Sequence, residues 1–194
     1  MREKMKEMYE EEGMSLRQIG EEIGMDRHKI SYILKEMGVN VKNGKYNYNE
    51  DYFRSIDTAE KAYWLGFIMA DGNIGRYGRK VLEVALQKED KNHLEKLRDV
   101  LAPDKPLYDK TRENNGKTYE SVRLQVSNSR IVEDLKKLGC PPNKSKILEY
   151  PDTVPTEFER DFIRGYFDGD GNIYIRPEKG YYKFSVIGTE EFLR

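Results

Sequence analysis

Two aspartates, Asp71 and Asp170, sit in matching surroundings about a hundred residues apart: Leu65 to Arg76 reads LGFIMADGNIGR and Arg164 to Ile175 reads RGYFDGDGNIYI. In each stretch an apolar helical run ends in Asp-Gly-Asn-Ile. A carboxylate at the C-terminal end of a helix faces the negative pole of the helix dipole and its unpaired carbonyls, so it is unfavourable unless a cation shares the site. Two such carboxylates, with the neighbouring carbonyl oxygens of Ala70 and Gly169, make a hard oxygen donor set suited to Mg²⁺, which keeps some of its waters and binds phosphate as well. One Asp-Gly alone is a common turn signal. Two copies, each behind the same kind of helix and each followed by Asn-Ile, are a much more specific pattern.

The elements that must position these aspartates are legible. Residues 56–69 have the features of a buried helix: Thr58 as cap, Glu60 in the first turn and an almost wholly apolar KAYWLGFIMA. The second copy is expected to begin after Pro155 with Thr156 as cap. Small residues fall four apart in both, Gly66 with Ala70 and Gly165 with Gly169, and so lie along one face of each helix. A glycine inside a helix costs about 1 kcal/mol relative to alanine, so the spacing implies two backbones in close approach. The natural partner of each helix is the other copy, related by a pseudo-twofold axis.

Between the copies, Leu82, Val84 and Leu86 alternate with Glu83, Ala85 and Gln87, and Val122, Leu124 and Val126 alternate with Ser121, Arg123 and Gln125. These read as half-buried strands, with a further strand expected over NIGRYGR (Asn73 to Arg79). Ordinary half-buried strands look the same. The outward Arg, Gln, Ser and Asn are nevertheless side chains that bond base edges in a DNA major groove. The candidate contacts are Asn73, Arg76, Arg79, Lys80, Ser121, Arg123 and Gln125. Helices over 90–101 and 129–138 are expected to cover the inner face.

The paired stretches resemble the motifs of LAGLIDADG homing endonucleases, over about residues 57 to 194. The resemblance implies an α+β fold built from an αββαββα repeat, whose two motif helices form the central interface and whose sheets make a saddle over double-stranded DNA. It implies site-specific double-strand cleavage by a monomer with internal pseudo-twofold symmetry, with Mg²⁺ held by Asp71 and Asp170. It further implies that Gln87 lies near the catalytic water, with Gly188 as its counterpart in the second copy, and that Lys144, in preference to Lys146, points towards the scissile phosphate. Met69 departs from the family pattern, which has an acidic residue where the second copy keeps Asp168. The second repeat, 151–194, is shorter than the first, 57–150, and is expected to lack its last two strands and last helix.

Ahead of the repeats, residues 1–40 read as a small all-α unit of helix-turn-helix type. A helix over 3–9 ends at Gly13, a second is capped by Ser15, Gly24 turns the chain, and Asp26 caps a third. Ile30, Ile33, Leu34 and Met37 form its apolar stripe, while Arg27, His28, Lys29, Tyr32 and Lys35 occupy the exposed side and are candidate DNA contacts. A helical hairpin that reads no DNA has the same local pattern. Residues 41–56, with Lys42 and Lys45, read as a linker.

Composition sets the outer bounds. The chain has 194 residues, 36% charged and 37% hydrophobic, with a formal net charge of -1. Residues 72–150 hold 17 Lys and Arg against 12 Asp and Glu (net +5), and residues 1–60 hold 10 against 13 (net -3). The basic balance therefore sits in the first repeat. No apolar run is long enough for a membrane helix and no signal peptide is evident, so a cytoplasmic, intracellular protein without a membrane partner is expected. The single cysteine, Cys140, excludes an intrachain disulfide. Two other classes fit the same pattern: a non-cleaving DNA-binding transcription regulator, which typically lacks the metal carboxylates retained here, and an RNA maturase.

Overall fold

The computed structural model describes residues 1–12, 14, 16–41, 46–75, 80–114 and 116–194. The expected roles of Gly13, Ser15, Lys42, Lys45, Arg76 and Arg79 lie outside the described residues. The chain divides into two compact units, Met1–Asn47 and Tyr48–Arg194.

The first unit packs three helices, α1 (Arg2–Glu10), α2 (Leu16–Ile23) and α3 (Arg27–Glu36), around Met5, Met8, Ile19, Ile30 and Leu34, with Val39 and Val41 closing the core. Asp26 caps α3 as expected, its carboxylate accepting from the His28 amide at 2.8 Å. Gly24, at φ +66°, makes the left-handed turn between α2 and α3 that a residue with a Cβ rarely adopts.

The second unit is α+β. From its start the order is α4 (Ala59–Asp71), β1 (Gly72–Ile74), β2 (Leu82–Gln87), α5 (Lys91–Leu101), β3 (Tyr108–Asn114), β4 (Lys117–Val126) and α6 (Ser129–Lys137). This is the αββαββα succession that the family resemblance implies. The four strands form an antiparallel sheet in the order β1-β2-β4-β3. Leu82, Val84, Val122, Leu124 and Val126 are buried on its inner face beneath Leu94, Leu97, Leu101, Ile131 and Leu135. A second copy follows as α7 (Glu159–Asp170), β5 (Gly171–Arg176), β6 (Tyr181–Val186) and α8 (Glu190–Leu193), with β5 and β6 paired as a two-stranded sheet.

Several expectations are corrected. β3 carries no apolar alternation, and all seven of its residues are exposed, so nothing in its sequence marks it as a strand. Within the run expected to be a strand over 73–79, the described strand ends at Ile74. Thr156 does not cap α7: it opens a 3-10 turn, Thr156–Phe158, and α7 starts behind it with no side-chain cap. Thr58 does cap α4, accepting from the Lys61 amide at 3.2 Å. The later part of the expected linker is not a tether, because Tyr52, Phe53 and Ile56 are buried in the core of the second unit. Among the described residues no helix is long and apolar enough to cross a membrane.

Candidate functional site

Helices α4 and α7 meet backbone to backbone, and the glycines are the reason. A Cβ built on Gly66 would stand 2.1 Å from the Phe162 carbonyl oxygen and 2.9 Å from the Tyr166 nitrogen. One built on Gly165 would stand 1.9 Å from the Tyr63 carbonyl oxygen and 3.1 Å from the Phe67 nitrogen. The contacts are reciprocal: Tyr63, Gly66 and Phe67 of one helix match Phe162, Gly165 and Tyr166 of the other, each 99 positions on. Further along, a Cβ on Gly169 would lie 2.4 Å from that of Ala70 and 3.1 Å from Asp71 Oδ2. All four small residues proposed from their spacing thus line the interface, and they bring the C-terminal ends of both helices together.

Asp71 and Asp170 are the last residues of α4 and α7, both half-buried. Burial holds the Asp71 carboxyl above its ordinary value, the charge of Asp170 raises it further, and Lys144 counteracts both. Lys144 reaches this point from a 3-10 turn behind Asn143, whose φ of 61° places it in the left-handed region that Asn tolerates. The turn sends Lys144 inward: it is 8% exposed, and its Nζ donates to the Ala70 carbonyl oxygen at 2.5 Å. Burial lowers its basicity, while the charges of Asp170 and Asp71 act in the opposite direction. The Cys140 thiol, buried beside it, is pushed up to about 12 and stays protonated. A cation therefore already occupies the pole where two helix ends concentrate negative charge, as the dipole argument requires.

Beside Asp71 opens a cleft of about 510 Å³, lined among others by Phe67, Asp71, Gln87, Asp90, His93 and Asp168. Gln87, the last residue of β2, is exposed at its rim. Three of its polar residues were not singled out from sequence as functional: Asp90, His93 and Asp168. Tyr63 ties two of them together, donating to Asp168 Oδ2 at 2.6 Å, with its oxygen 3.0 Å from His93 Nε2. The Arg164 guanidinium covers the Tyr63 ring at 5.0 Å. Burial lowers the His93 basicity, against the pull of Asp168. The only signal available in sequence was the retention of Asp168 where the first copy has Met69, which is buried.

The strand registers also correct the assigned counterpart of Gln87. Gly72 pairs with Val84 in the first copy and Gly171 with Val186 in the second. Counting three residues on from each strand partner, Gln87 corresponds to Thr189, not Gly188. Both residues then occupy the N-cap position of the following helical turn.

The DNA-contact candidates fall into three groups. Ser121, Arg123 and Gln125 lie on the outer face of β4, half-buried, and Asn73 is exposed on β1. Two of the basic candidates are engaged within the chain: Arg123 with Glu83 at 3.3 Å, and Lys80 with Glu133. On α3, Arg27, His28, Lys29 and Tyr32 are all exposed.

Among the described residues no group of three or more His, Cys, Asp or Glu side chains could hold a metal ion. The donor chemistry at the helix ends is instead two carboxylates and two main-chain carbonyls, one of which already accepts from an ammonium group. Such a set fits Mg²⁺, whose remaining positions are taken by waters and substrate phosphate.

No family model matches the chain. Over 114 residues (57% of the chain) it is 34% identical to the DNA-directed RNA polymerase subunit Rpo1C of Methanocaldococcus jannaschii, a match covering 12% of that protein. Over 150 residues (75% of the chain) it is 27% identical to the Replication factor C small subunit of the same organism, covering 8% of that protein. The chain thus spans only a small fraction of the curated relatives it matches. Among solved structures, the homing endonuclease I-WcaI bound to its DNA recognition sequence is similar with a TM-score of 0.49 and 15% identity, covering 75% of this chain and 66% of that one. The N-terminal LAGLIDADG domain of DUF199/WhiA is similar with a TM-score of 0.39 and 17% identity, covering 75% and 68%.

Proposed function

We propose that the chain is an intracellular LAGLIDADG-type homing endonuclease of the two-motif, monomeric kind, which hydrolyses phosphodiester bonds in double-stranded DNA with Mg²⁺. The observation that carries this reading is the reciprocal packing of α4 and α7, which delivers Asp71 and Asp170 to one end of a shared interface with Lys144 between their helix ends. A purely structural helix pair gains nothing from two acids at the negative ends of both dipoles.

In this reading Asp71 and Asp170, with the carbonyls of Ala70 and Gly169, hold the metal ion, which when bound neutralises phosphate charge and makes coordinated water more acidic. Lys144 stabilises the negative charge that develops on the phosphate. Gln87 holds the attacking water at the rim of the Asp71 cleft. Asn73, Ser121, Arg123 and Gln125 face base edges, with Lys80 on the backbone; Arg123 exchanges its partner Glu83 for a base or phosphate on binding. The three-helix unit acts as a helix-turn-helix and adds contacts through Arg27, His28, Lys29 and Tyr32. A mobile reading frame is supported by the likeness of overlapping stretches of the chain to small parts of two relatives named for different jobs.

The test is a cleavage assay on a library of duplex DNA with Mg²⁺, comparing the chain with Asp170→Asn. Metal-dependent cuts at one sequence, lost in the variant, support the endonuclease. Selective binding of one sequence by both proteins, without cutting, would replace it with a DNA-binding regulator.

A further inference from the structure

β2, the 3-10 turn behind it and the start of α5 bring three polar side chains to the Asp71 cleft, three residues apart: Gln87, Asp90 and His93. His93 stands in the first turn of α5 and is half-buried. Its ring packs on Phe67 at 4.7 Å and on Trp64 at 5.0 Å between centroids, so side chains of α4 hold its plane. Its Nε2 lies 3.0 Å from the Tyr63 hydroxyl oxygen. That hydroxyl has one proton, which it donates to Asp168 Oδ2 at 2.6 Å. Burial and the bond to Asp168 hold the phenol above its ordinary value, so the proton stays on it. The Tyr63 oxygen can therefore only accept from the imidazole, and Nε2 must carry a hydrogen. In the neutral ring this leaves Nδ1 unprotonated, with a lone pair to offer.

We infer that His93 is a catalytic base: with Tyr63 and Asp168 fixing its tautomer, Nδ1 takes the proton of the water that attacks a phosphate bound at the Asp71 cleft. The inference rests on the endonuclease reading and deepens it, because it assigns the proton that Gln87, an amide, cannot accept. In the step itself, the water oxygen bonds to phosphorus as its proton passes to Nδ1. One P–O ester bond breaks with its electron pair leaving on the sugar oxygen, which takes a proton from solvent, and the imidazolium returns its own proton to solvent. Tyr63 is a positioning residue, since it acts only through the ring. The surroundings suit a base that is neutral before the step and charged after it. Burial, Lys96 and the positive pole at the start of α5 favour the neutral ring, while Asp168 from α7 and Asp90 from the turn favour the imidazolium. From α4, Asp71 shares the cleft and the Tyr63 phenol stays neutral.

Nuclear magnetic resonance of the ¹⁵N-labelled full chain tests the tautomer without turnover, because His28 and His93 are its only histidines. The expected result is a neutral His93 with its hydrogen on Nε2, and a mixture of both tautomers in Tyr63→Phe. A hydrogen on Nδ1 in the parent would overturn the assignment whatever the activity. The second readout is single-turnover cleavage, with Mg²⁺, of a target recovered from the duplex library, followed across pH. The parent rate rises as the ring loses its proton and levels off above an inflection below the ordinary histidine value of about 6.5. His93→Gln keeps an N–H for Tyr63 but has no basic nitrogen. It cuts at least about 100-fold more slowly, the lower range of what a positioned base contributes, and loses the inflection. Its affinity for the same target in a Ca²⁺ gel shift is unchanged. A His93→Gln protein that cuts as fast as the parent, or keeps the parent's inflection, would overturn the base while leaving the endonuclease standing. The absence of any metal-dependent break by the parent would overturn both.

Discussion

Replacing Gly165 with alanine separates two physical effects that act in opposite directions. In an isolated helix the change gains about 1 kcal/mol, because alanine loses less backbone entropy than glycine. Here the new Cβ would stand 1.9 Å from the Tyr63 carbonyl oxygen and 2.8 Å from its carbon. Ordinary contact begins near 3.4 Å, so α4 and α7 must part by roughly 1.5 Å. That displacement acts on a fully packed region: Leu65, Ile68 and Phe162 are 0% exposed, and Phe67 is 2% exposed. A radial gap of only about 0.5–1 Å forfeits a quarter to a half of a dispersion contact, and overpacking of this kind typically costs about 1–3 kcal/mol. With several large side chains losing contact together, the upper end applies, and the net effect after the helix gain is a loss of about 2 kcal/mol. In a chain of this size the midpoint of thermal unfolding falls by about 4–8 °C. The assay is thermal unfolding followed by circular dichroism. Ile163→Ala, at a 54% exposed position on the same helix, is the control and leaves the midpoint within about 1 °C. Gly66→Ala behaves like Gly165→Ala because its Cβ would stand 2.1 Å from the Phe162 carbonyl, and the double variant costs less than the sum, since both open one interface. A Gly165→Ala protein as stable as the parent, or more so, would refute the backbone contact and with it the geometry that joins Asp71 to Asp170.

Lys144→Met removes the ammonium that faces Ala70 and both aspartates; it lowers stability by about 2 kcal/mol in chelator, discounted for the half-exposed carboxylates. Added Mg²⁺ should raise its unfolding midpoint by more than that of the parent, and an equal rise in both would mean that the lysine and the ion do not share the pole. His93 gives a pH signature. Its basicity is lowered in the fold, chiefly by burial, with Lys96 acting the same way and Asp168 and Asp90 opposing. Its contribution to stability is therefore complete above the unfolded value of about 6.5 and is lost as pH falls through the lower folded value. Urea unfolding at pH 7.5 and 5.5 checks this: His93→Gln flattens the decline, and an unchanged slope would exclude His93 as its source. In the first unit, Asp26→Ala deletes the cap of α3 and should cost about 1 kcal/mol in that unit's own unfolding transition.

Much of the site was legible because its causes are local. The four-residue spacing of Gly66 with Ala70 and of Gly165 with Gly169 can be read from a helix drawn on paper, and the Asp-Gly ends mark where those helices stop. The alternation in β2 and β4 shows which residues face the helices. What sequence could not supply is register and distance. Thr189 aligns with Gln87 because the two strand pairs place their partners 99 and 102 positions apart, a shift invisible until the strands are paired. The bond from Tyr63 to Asp168 spans 105 residues, so no local pattern announces it. The family resemblance singles out Lys144, but the route it takes is visible only in the fold: one left-handed residue, Asn143, turns it into the interior. β3 has no buried face, so its strand character comes only from the edge of β4.

The distribution of cost in the second unit bears on its purpose. Two helices forgo helix propensity at Gly66 and Gly165, end on carboxylates that their own dipoles disfavour, and enclose a lysine whose charge burial opposes. None of these features stabilises the fold separately, and a pair of leucine-faced helices ending in lysine would be more stable. Taken together they become consistent once the three charged groups are treated as one site: the carboxylates are tolerable because a cation is held between the helix ends, and the cation is tolerable because the carboxylates are there. The glycines are required because only direct backbone contact brings the two ends that close. A fold selected for stability alone would lose such an arrangement by substitution. Its persistence in both copies of the motif argues that the negative pole itself is the product.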